Sequence, residues 1–121
     1  MKILIVEDNI ERRNWFKSEF KAYELTFAVN AEEGIKQVEW NKFDVIFLDH
    51  DLGGLVFVDS FKQNTGFQVA KAIVNSVNDK TPVIIHSWNP AGSENIKKIL
   101  GKRAAYLPFG TFTNDLIKRR K

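Results

Sequence analysis

Polar residues able to do chemistry gather where three apolar runs stop. "KILIV" leads into Glu7 and Asp8, "FDVIFL" into Asp49, His50 and Asp51, and "PVII" into His86 and Ser87, with Asn89 close behind. Isolated charges are costly to bury, so such a cluster marks a site at a strand tip rather than a core position. Brought together, Glu7, Asp8 and Asp49 would crowd three carboxylates into one crevice. A hard divalent cation relieves that repulsion, and Mg2+ with several waters retained suits it best. On their own, Glu7 and Asp8 could instead be acids set against the positive end of a helix. A bound cation would take a phosphoryl oxygen as a further ligand. Ser87 and Asn89 could hold other oxygens, and Asp49 could be a nucleophile that forms an aspartyl phosphate. The only two histidines, His50 and His86, both fall at these tips. Imidazole titrates near neutral pH and could act as general acid or base; either one alone could equally be a structural histidine.

The elements that must position these residues follow from the apolar periodicity. Strand one is Lys2–Val6, and helix one spans about Asn9 to Phe20, with Trp15, Phe16 and Phe20 on one face. Glu24–Val29 reads as strand two, and Asn30 opens helix two with Glu33 at capping-box spacing. Strand three is Asp44–Asp49; Thr65 and Gln68 show the same cap spacing and open helix three, which runs to about Val77. Pro82–His86 is strand four, the Asn89–Pro90 pair starts helix four, and Gly101 ends it after Leu100. Strand five is Arg103–Leu107 and a short helix covers Thr113–Arg120. Strict βα alternation implies an α/β fold, a doubly wound five-stranded parallel sheet of order 2-1-3-4-5, flavodoxin-like, as one domain over residues 1–121. In that order the chain reverses between strands one and three, and ligands bind beyond the C-terminal strand ends there. The acids, the imidazoles and Ser87 should therefore converge on one rim.

Composition bounds the class. Of 121 residues, 44% are apolar and 27% charged, which is the balance of a soluble globular domain. There is no Cys, so no disulfide framework or thiolate chemistry exists, in keeping with a cytoplasmic location. No apolar run is long enough to span a bilayer, and no membrane partner is expected. Net charge is +3, yet the last four residues, "KRRK", are all basic; without them 14 basic residues face 15 acidic ones. The tail could touch nucleic acid, but it equally suits the C-terminal end of a helix.

"ILIVEDN", "FDVIFLD", "PVIIHS" and "AYLPF" resemble, in order and over almost the whole chain, the response-regulator receiver domain. That resemblance implies that Glu7 and Asp8 are the acidic metal pair, Asp49 the phospho-accepting aspartate, Ser87 the switch hydroxyl and Tyr106 the aromatic that moves with it. It also implies a phosphodonor, with a histidine kinase or a docking protein as partner. One departure is a missing cation: receivers carry a Lys-Pro dipeptide after strand five, whereas Pro108 here follows Leu107. Lys102 and Arg103 lie at the other end of that strand, on the order of 13 Å away. An imidazole could replace the lost charge.

A second resemblance is closer. "LDHDLGG", "NTGFQVAKAI" and "VIIHSWNPAGSENIKKIL" resemble the receiver offshoot described as cyclic-phosphate-processing, matching its pattern at His50, Asp51, Leu52 and Gly53 and again at His86, Ser87 and Asn89. It implies a receiver-like domain that binds Mg2+ and a phosphate-bearing small molecule and processes phosphate esters, cyclic ones among them. In that reading Asp49, His50 and His86 are catalytic, Glu7, Asp8 and Asp49 bind metal, and Ser87 and Asn89 bind phosphate. The alternative is a single-domain response regulator phosphorylated on Asp49 in a two-component phosphorelay. A third is a pseudo-receiver that only binds a protein.

Two features remain open. Residues 50–64 make a longer connection than a βα loop needs, with Leu55, Val56, Phe57, Val58 and Phe61 apolar, which suits a flap, a cover or a partner patch. Trp88 could stack on a nucleotide base or simply pack.

Overall fold

The computed structural model describes residues 1–54 and 59–118. Five strands, β1 (Lys2–Val6), β2 (Glu24–Ala28), β3 (Val45–Leu48), β4 (Val83–Ile85) and β5 (Ala104–Tyr106), form one parallel sheet in the order β2-β1-β3-β4-β5. The helices are α1 (Ile10–Glu19), α2 (Ala31–Trp40), α3 (Gly66–Val74), α4 (Pro90–Leu100) and α5 (Asp115–Lys118). Every sheet neighbour is parallel, which is why the central strands are apolar on both faces.

Strand alternation sorts the core into two layers. Leu4, Val6, Ile46, Leu48, Val83 and Ile85 pack under α2, α3 and α4 with Val38, Val69, Ile73 and Ile96. Ile3, Ile5, Val45, Phe47 and Ile84 face the other way, onto Phe16 of α1, Phe20 at its C-terminal cap and Ile117 of α5. That second layer is aromatic: Phe16 meets Phe47 at 5.1 Å between ring centres, and Trp15 meets Phe109 at 5.1 Å, both edge-on.

Caps set the helix starts that point at the site. Asn9, Asn30 and Asn89 accept backbone amides of their own first turns, from Arg12, Glu33 and Gly92. Thr65 does not cap α3, although its spacing to Gln68 suggests that it would. Its hydroxyl donates instead to the carbonyls of Ser60 and Lys62, and Gln68 Nε2 also donates to Ser60 O, so both side chains tie down the preceding loop. Helix three also ends earlier than its apolar pattern suggests, at Val74, because Ser76 and Asn78 start a turn. Most strands are shorter by a residue at one or both ends than their apolar runs. Of the connection after β3, residues 55–58 lie outside the described residues; Phe61 is 87% exposed. Helix α5 is described as far as Lys118, and the rest of the basic tail also lies outside the described residues. No helix among the described residues is long and apolar enough to cross a membrane.

Candidate functional site

Register brings the polar tips together in two groups rather than one. Val6 pairs with Leu48, and Leu48 with Ile85, so Glu7, Asp49 and His86 are the next residues on three adjacent strands. They continue the parity of Ile5, Phe47 and Ile84 and turn toward the α1 side. Ligand atoms of Glu7, Asp49 and His86 all lie within 4.8 Å of one another, and the three residues are buried. Asp8 is not one of this group; its carboxylate accepts the amide of Gly54.

Burial and charge pull these acids in different directions. Burial pushes Glu7 up, but the hydrogen bond and charge of His86, the Asn9 amide and the charge of Arg12 outweigh it and bring Glu7 down to about 2. The bond from His86 Nε2 to Glu7 Oε1 is 2.9 Å, and Asn9 N donates to Glu7 Oε2 at 3.0 Å. Among the described residues Asp49 has no such hydrogen bonds. Burial, reinforced by the charges of Glu7 and Asp8, raises it to about 7 against the pull of His86 and Arg12. Burial also raises Asp8, against the amide of Gly54. His86 packs edge-on against Phe16 at 5.3 Å between ring centres, and its Nδ1 is buried without a hydrogen-bond partner among the described residues.

The cation beside these acids comes from α1. Arg12 Nη1 stands 3.6 Å from Glu7 Oε1 and 3.8 Å from Asp49 Oδ2. Its guanidinium carbon lies 4.2 Å from the centre of the Trp88 ring and 4.8 Å from that of Phe109. Trp88 is itself fixed by an indole N–H bond to Phe109 O at 3.0 Å, and Phe109 N donates to His86 O at 2.9 Å. Arg12 is thus held between two aromatic faces with its charge aimed at the acids, the arrangement guanidinium favours over ammonium. Trp88, open between stacking and packing in the sequence, packs on Arg12. Neighbouring Arg13 donates to the carbonyls of Glu7 and Asp8 at 3.1 and 2.6 Å, closing the turn after β1. Sequence reasoning missed Arg12. The available signal was a basic residue in the first turn of the helix that follows an acidic strand tip. Arg103, by contrast, sits at the far end of the sheet, donating to Asn78 O at 3.0 Å.

The remaining predicted residues lie outside that group. His50 is fully buried and turned toward α4: Nδ1 is 2.8 Å from Asp51 Oδ1 and Nε2 is 2.8 Å from Ser60 Oγ. Gly92 lets it in, since a Cβ there would stand 2.4 Å from the imidazole. Asn89 uses Oδ1 to cap Gly92 N at 3.0 Å and points Nδ2 at Asp51 Oδ1, also 3.0 Å. Its side chain therefore belongs with His50 and Asp51. Ser87 Oγ accepts the Asn89 amide at 3.0 Å, which leaves its own proton to donate. Tyr106 ends β5 at 37% exposure. The two imidazoles thus do not share one anion-facing rim: His86 joins the acids and His50 does not.

A family model for the cyclic-phosphate processing receiver domain matches residues 2–102. No curated protein matches the chain. Among solved structures, the receiver domain of a sensor histidine kinase from Pseudomonas aeruginosa, crystallised with magnesium in its active-site cleft, aligns with TM-score 0.74 and 22% identity, covering 98% of this chain and 92% of that one. The Vibrio cholerae chemotaxis protein CheY4 aligns with TM-score 0.71 and 22% identity, covering 98% and 94%. The response regulator TrrA from Thermotoga maritima, solved with Mg2+ and BeF, gives 0.69 and 24%, again covering 98% and 94%. Identities this low establish the shared fold; the match over residues 2–102, most of the length, establishes more. The chain belongs to the cyclic-phosphate processing receiver domain family.

Proposed function

We propose that this domain binds a divalent cation through Glu7, Asp49 and His86 and there processes phosphate esters, cyclic ones included. The observation that carries the proposal is the group itself: two buried carboxylates and a buried imidazole with ligand atoms within 4.8 Å of one another and an arginine at the edge. The residues fit a cation on independent grounds. Burial raises Asp49 to about 7, so that it holds a proton a bound cation would displace, and His86 Nδ1 is a buried polar atom with no hydrogen-bond partner among the described residues. Two oxygens and one nitrogen suit Mn2+ or a neighbouring transition metal as well as Mg2+. A bound cation would neutralise charge on a phosphoryl group and polarise its oxygens.

The chain's own residues supply the rest. Arg12 would grip phosphoryl oxygens with a guanidinium already oriented by Trp88 and Phe109. Ser87 would donate its hydroxyl proton to another oxygen. His86 Nε2, 2.9 Å from Glu7 Oε1, orients that carboxylate in the metal-free pocket. His50 and Asn89, sought in the sequence as catalytic and phosphate-binding, lie outside this pocket, between the loop after β3 and α4. Asp8, whose carboxylate holds the Gly54 amide, would accept hydrogen bonds from water on the cation.

The test is release of phosphomonoester from 2′,3′-cyclic nucleotides in Mg2+ or Mn2+. Turnover should vanish in EDTA and in Asp49→Asn, and wild-type release no higher than that of Asp49→Asn refutes the proposal. The second reading, phosphorylation of Asp49, draws on the likeness to the TrrA complex with Mg2+ and BeF. It is separated by incubation with acetyl phosphate: a stable gain of one phosphate on Asp49 with no ester turnover would favour it.

A further inference from the structure

We propose that Ser60, His50 and Asp51 form a second reactive site, in which Ser60 is a nucleophile that takes the acyl group of small uncharged carboxylic esters. The three side chains are joined in series. Asp51 Oδ1 lies 2.8 Å from His50 Nδ1, and His50 Nε2 lies 2.8 Å from Ser60 Oγ. Asn89 Nδ2 also stands 3.2 Å from His50 Nδ1, but the carboxylate is nearer at 2.8 Å and charged. It therefore holds the proton on Nδ1 and leaves Nε2 to accept the serine proton, the division of roles in nucleophilic serine sites on unrelated folds. The imidazole cannot drift, being fully buried and pressed on the backbone of Gly92. Asn89 Nδ2 donates to the same Asp51 oxygen at 3.0 Å and so fixes the orienting acid as well.

Ser60 also faces space. It lines a cavity of about 650 Å³ between the loop and the start of α4, together with Asp59, Phe61, Pro90, Ala91 and Asn95. Two features there suit the developing oxyanion of acyl transfer. Asn95 Nδ2 is 2.9 Å from Ser60 Oγ, and the first turn of α4 presents its positive end to the cavity wall. The lining decides the substrate class. No Lys or Arg borders the cavity among the described residues, and Asp59 does, so a phosphate or carboxylate anion would be repelled. Phe61, Pro90 and Ala91 give a neutral acyl chain its apolar surface.

In the first step Ser60 Oγ bonds to the ester carbonyl carbon as its proton moves to Nε2 of His50. The carbon–alkoxy bond then breaks, and the alcohol leaves with that proton. Water then attacks the acyl-serine carbon, gives a proton to Nε2 and releases the acid as Ser60 regains its hydrogen. No cation enters these steps, so the site stands or falls independently of the Glu7–Asp49–His86 pocket.

The probe is an alkyl fluorophosphonate applied to the whole chain in EDTA, with adducts located by intact and peptide mass spectrometry. The chain has no Cys to compete for it. A single adduct on Ser60 is expected, absent in Ser60→Ala, and p-nitrophenyl acetate should be hydrolysed faster by wild type than by Ser60→Ala. His50→Gln, if it retains a cooperative melting transition, should label at least about tenfold more slowly; if it does not fold, Asp51→Asn takes its place. A folded wild-type chain that gains no adduct, or gains it elsewhere with Ser60 unmodified, overturns the proposal.

Discussion

Replacing Asp49 with Asn should make the metal-free protein more stable, by an amount that depends on pH. The carboxyl is 4% exposed and is raised from 3.8 to about 7, burial being the main cause. Because the folded value lies above the unfolded one, the native state keeps a proton that the unfolded chain loses between those two values. Stability therefore falls as pH rises through that window and levels off above it. A carboxyl moved from 3.8 to about 7 costs about 4 kcal/mol at pH 8 but less than half of that at pH 5. Asn is isosteric and carries no charge, though its amide is also desolvated, so a gain of about 2–4 kcal/mol at pH 8 is expected. Glu7 works in the opposite sense: lowered from 4.5 to about 2, its contribution is complete above 4.5 and is lost as pH falls through about 2, the same in both proteins. Urea denaturation of wild type and Asp49→Asn in EDTA, at pH 5 and pH 8, isolates the Asp49 contribution. A variant no more stable than wild type at pH 8, or a difference of the same size at both pH values, would refute the reasoning.

Further outcomes follow from the same geometry. Manganese should raise the melting midpoint more than an equal concentration of magnesium, and His86→Gln should abolish the difference, because only the imidazole favours the softer ion; differential scanning fluorimetry reads both. Arg12→Gln should slow phosphomonoester release by about 10²-fold while binding Mn2+ more tightly in calorimetry, since it removes both a phosphoryl donor and a like charge beside the cation. Gly92→Ala should cost about 1–3 kcal/mol in urea denaturation, because its Cβ would stand 2.4 Å from the His50 ring.

The sheet was legible in the sequence because each central strand is a short, nearly continuous apolar run, and βα alternation allows few topologies. Element ends were less so: "PVIIH" reads as a five-residue strand, but β4 is Val83–Ile85; Pro82 has no amide to donate, and its carbonyl and the His86 amide each still bond β3 residues. The Thr65 cap misled for a different reason. Cap spacing records what a side chain can reach locally, and the carbonyls of Ser60 and Lys62 offered Thr65 a better-buried partner. The candidate site was legible as a set of residues but not as an arrangement. Two histidines at adjacent tips look equivalent until parity is followed: His86 shares a face with Ile84, while His50 shares one with Leu48, and those faces belong to different layers. Period two was enough to separate them. Arg12 was harder, because its role depends on the rotation of α1, which the aromatic layer of Trp15, Phe16 and Phe20 fixes.

Arg12 also decides the order of events. With Glu7 and Asp49 ionised, their two negative charges face the guanidinium of Arg12 and the charge of His86, which leaves the metal-free pocket no surplus positive charge to hold an anion. A divalent cation supplies that surplus. Phosphate esters should therefore bind poorly to the metal-free pocket and be attracted to the loaded one, whereas the cation should bind in the absence of ester. Proton release follows as well: with Asp49 at about 7, cation binding below neutrality must displace its proton, and apparent affinity should fall by up to tenfold per pH unit there. Calorimetry with Mn2+ alone, then with a non-hydrolysable phosphonate, each at pH 6 and pH 8, measures both orders. Phosphonate binding of equal strength with and without the cation would show that Arg12 alone makes the pocket an anion receptor. The carboxylates would then be left without the role assigned to them.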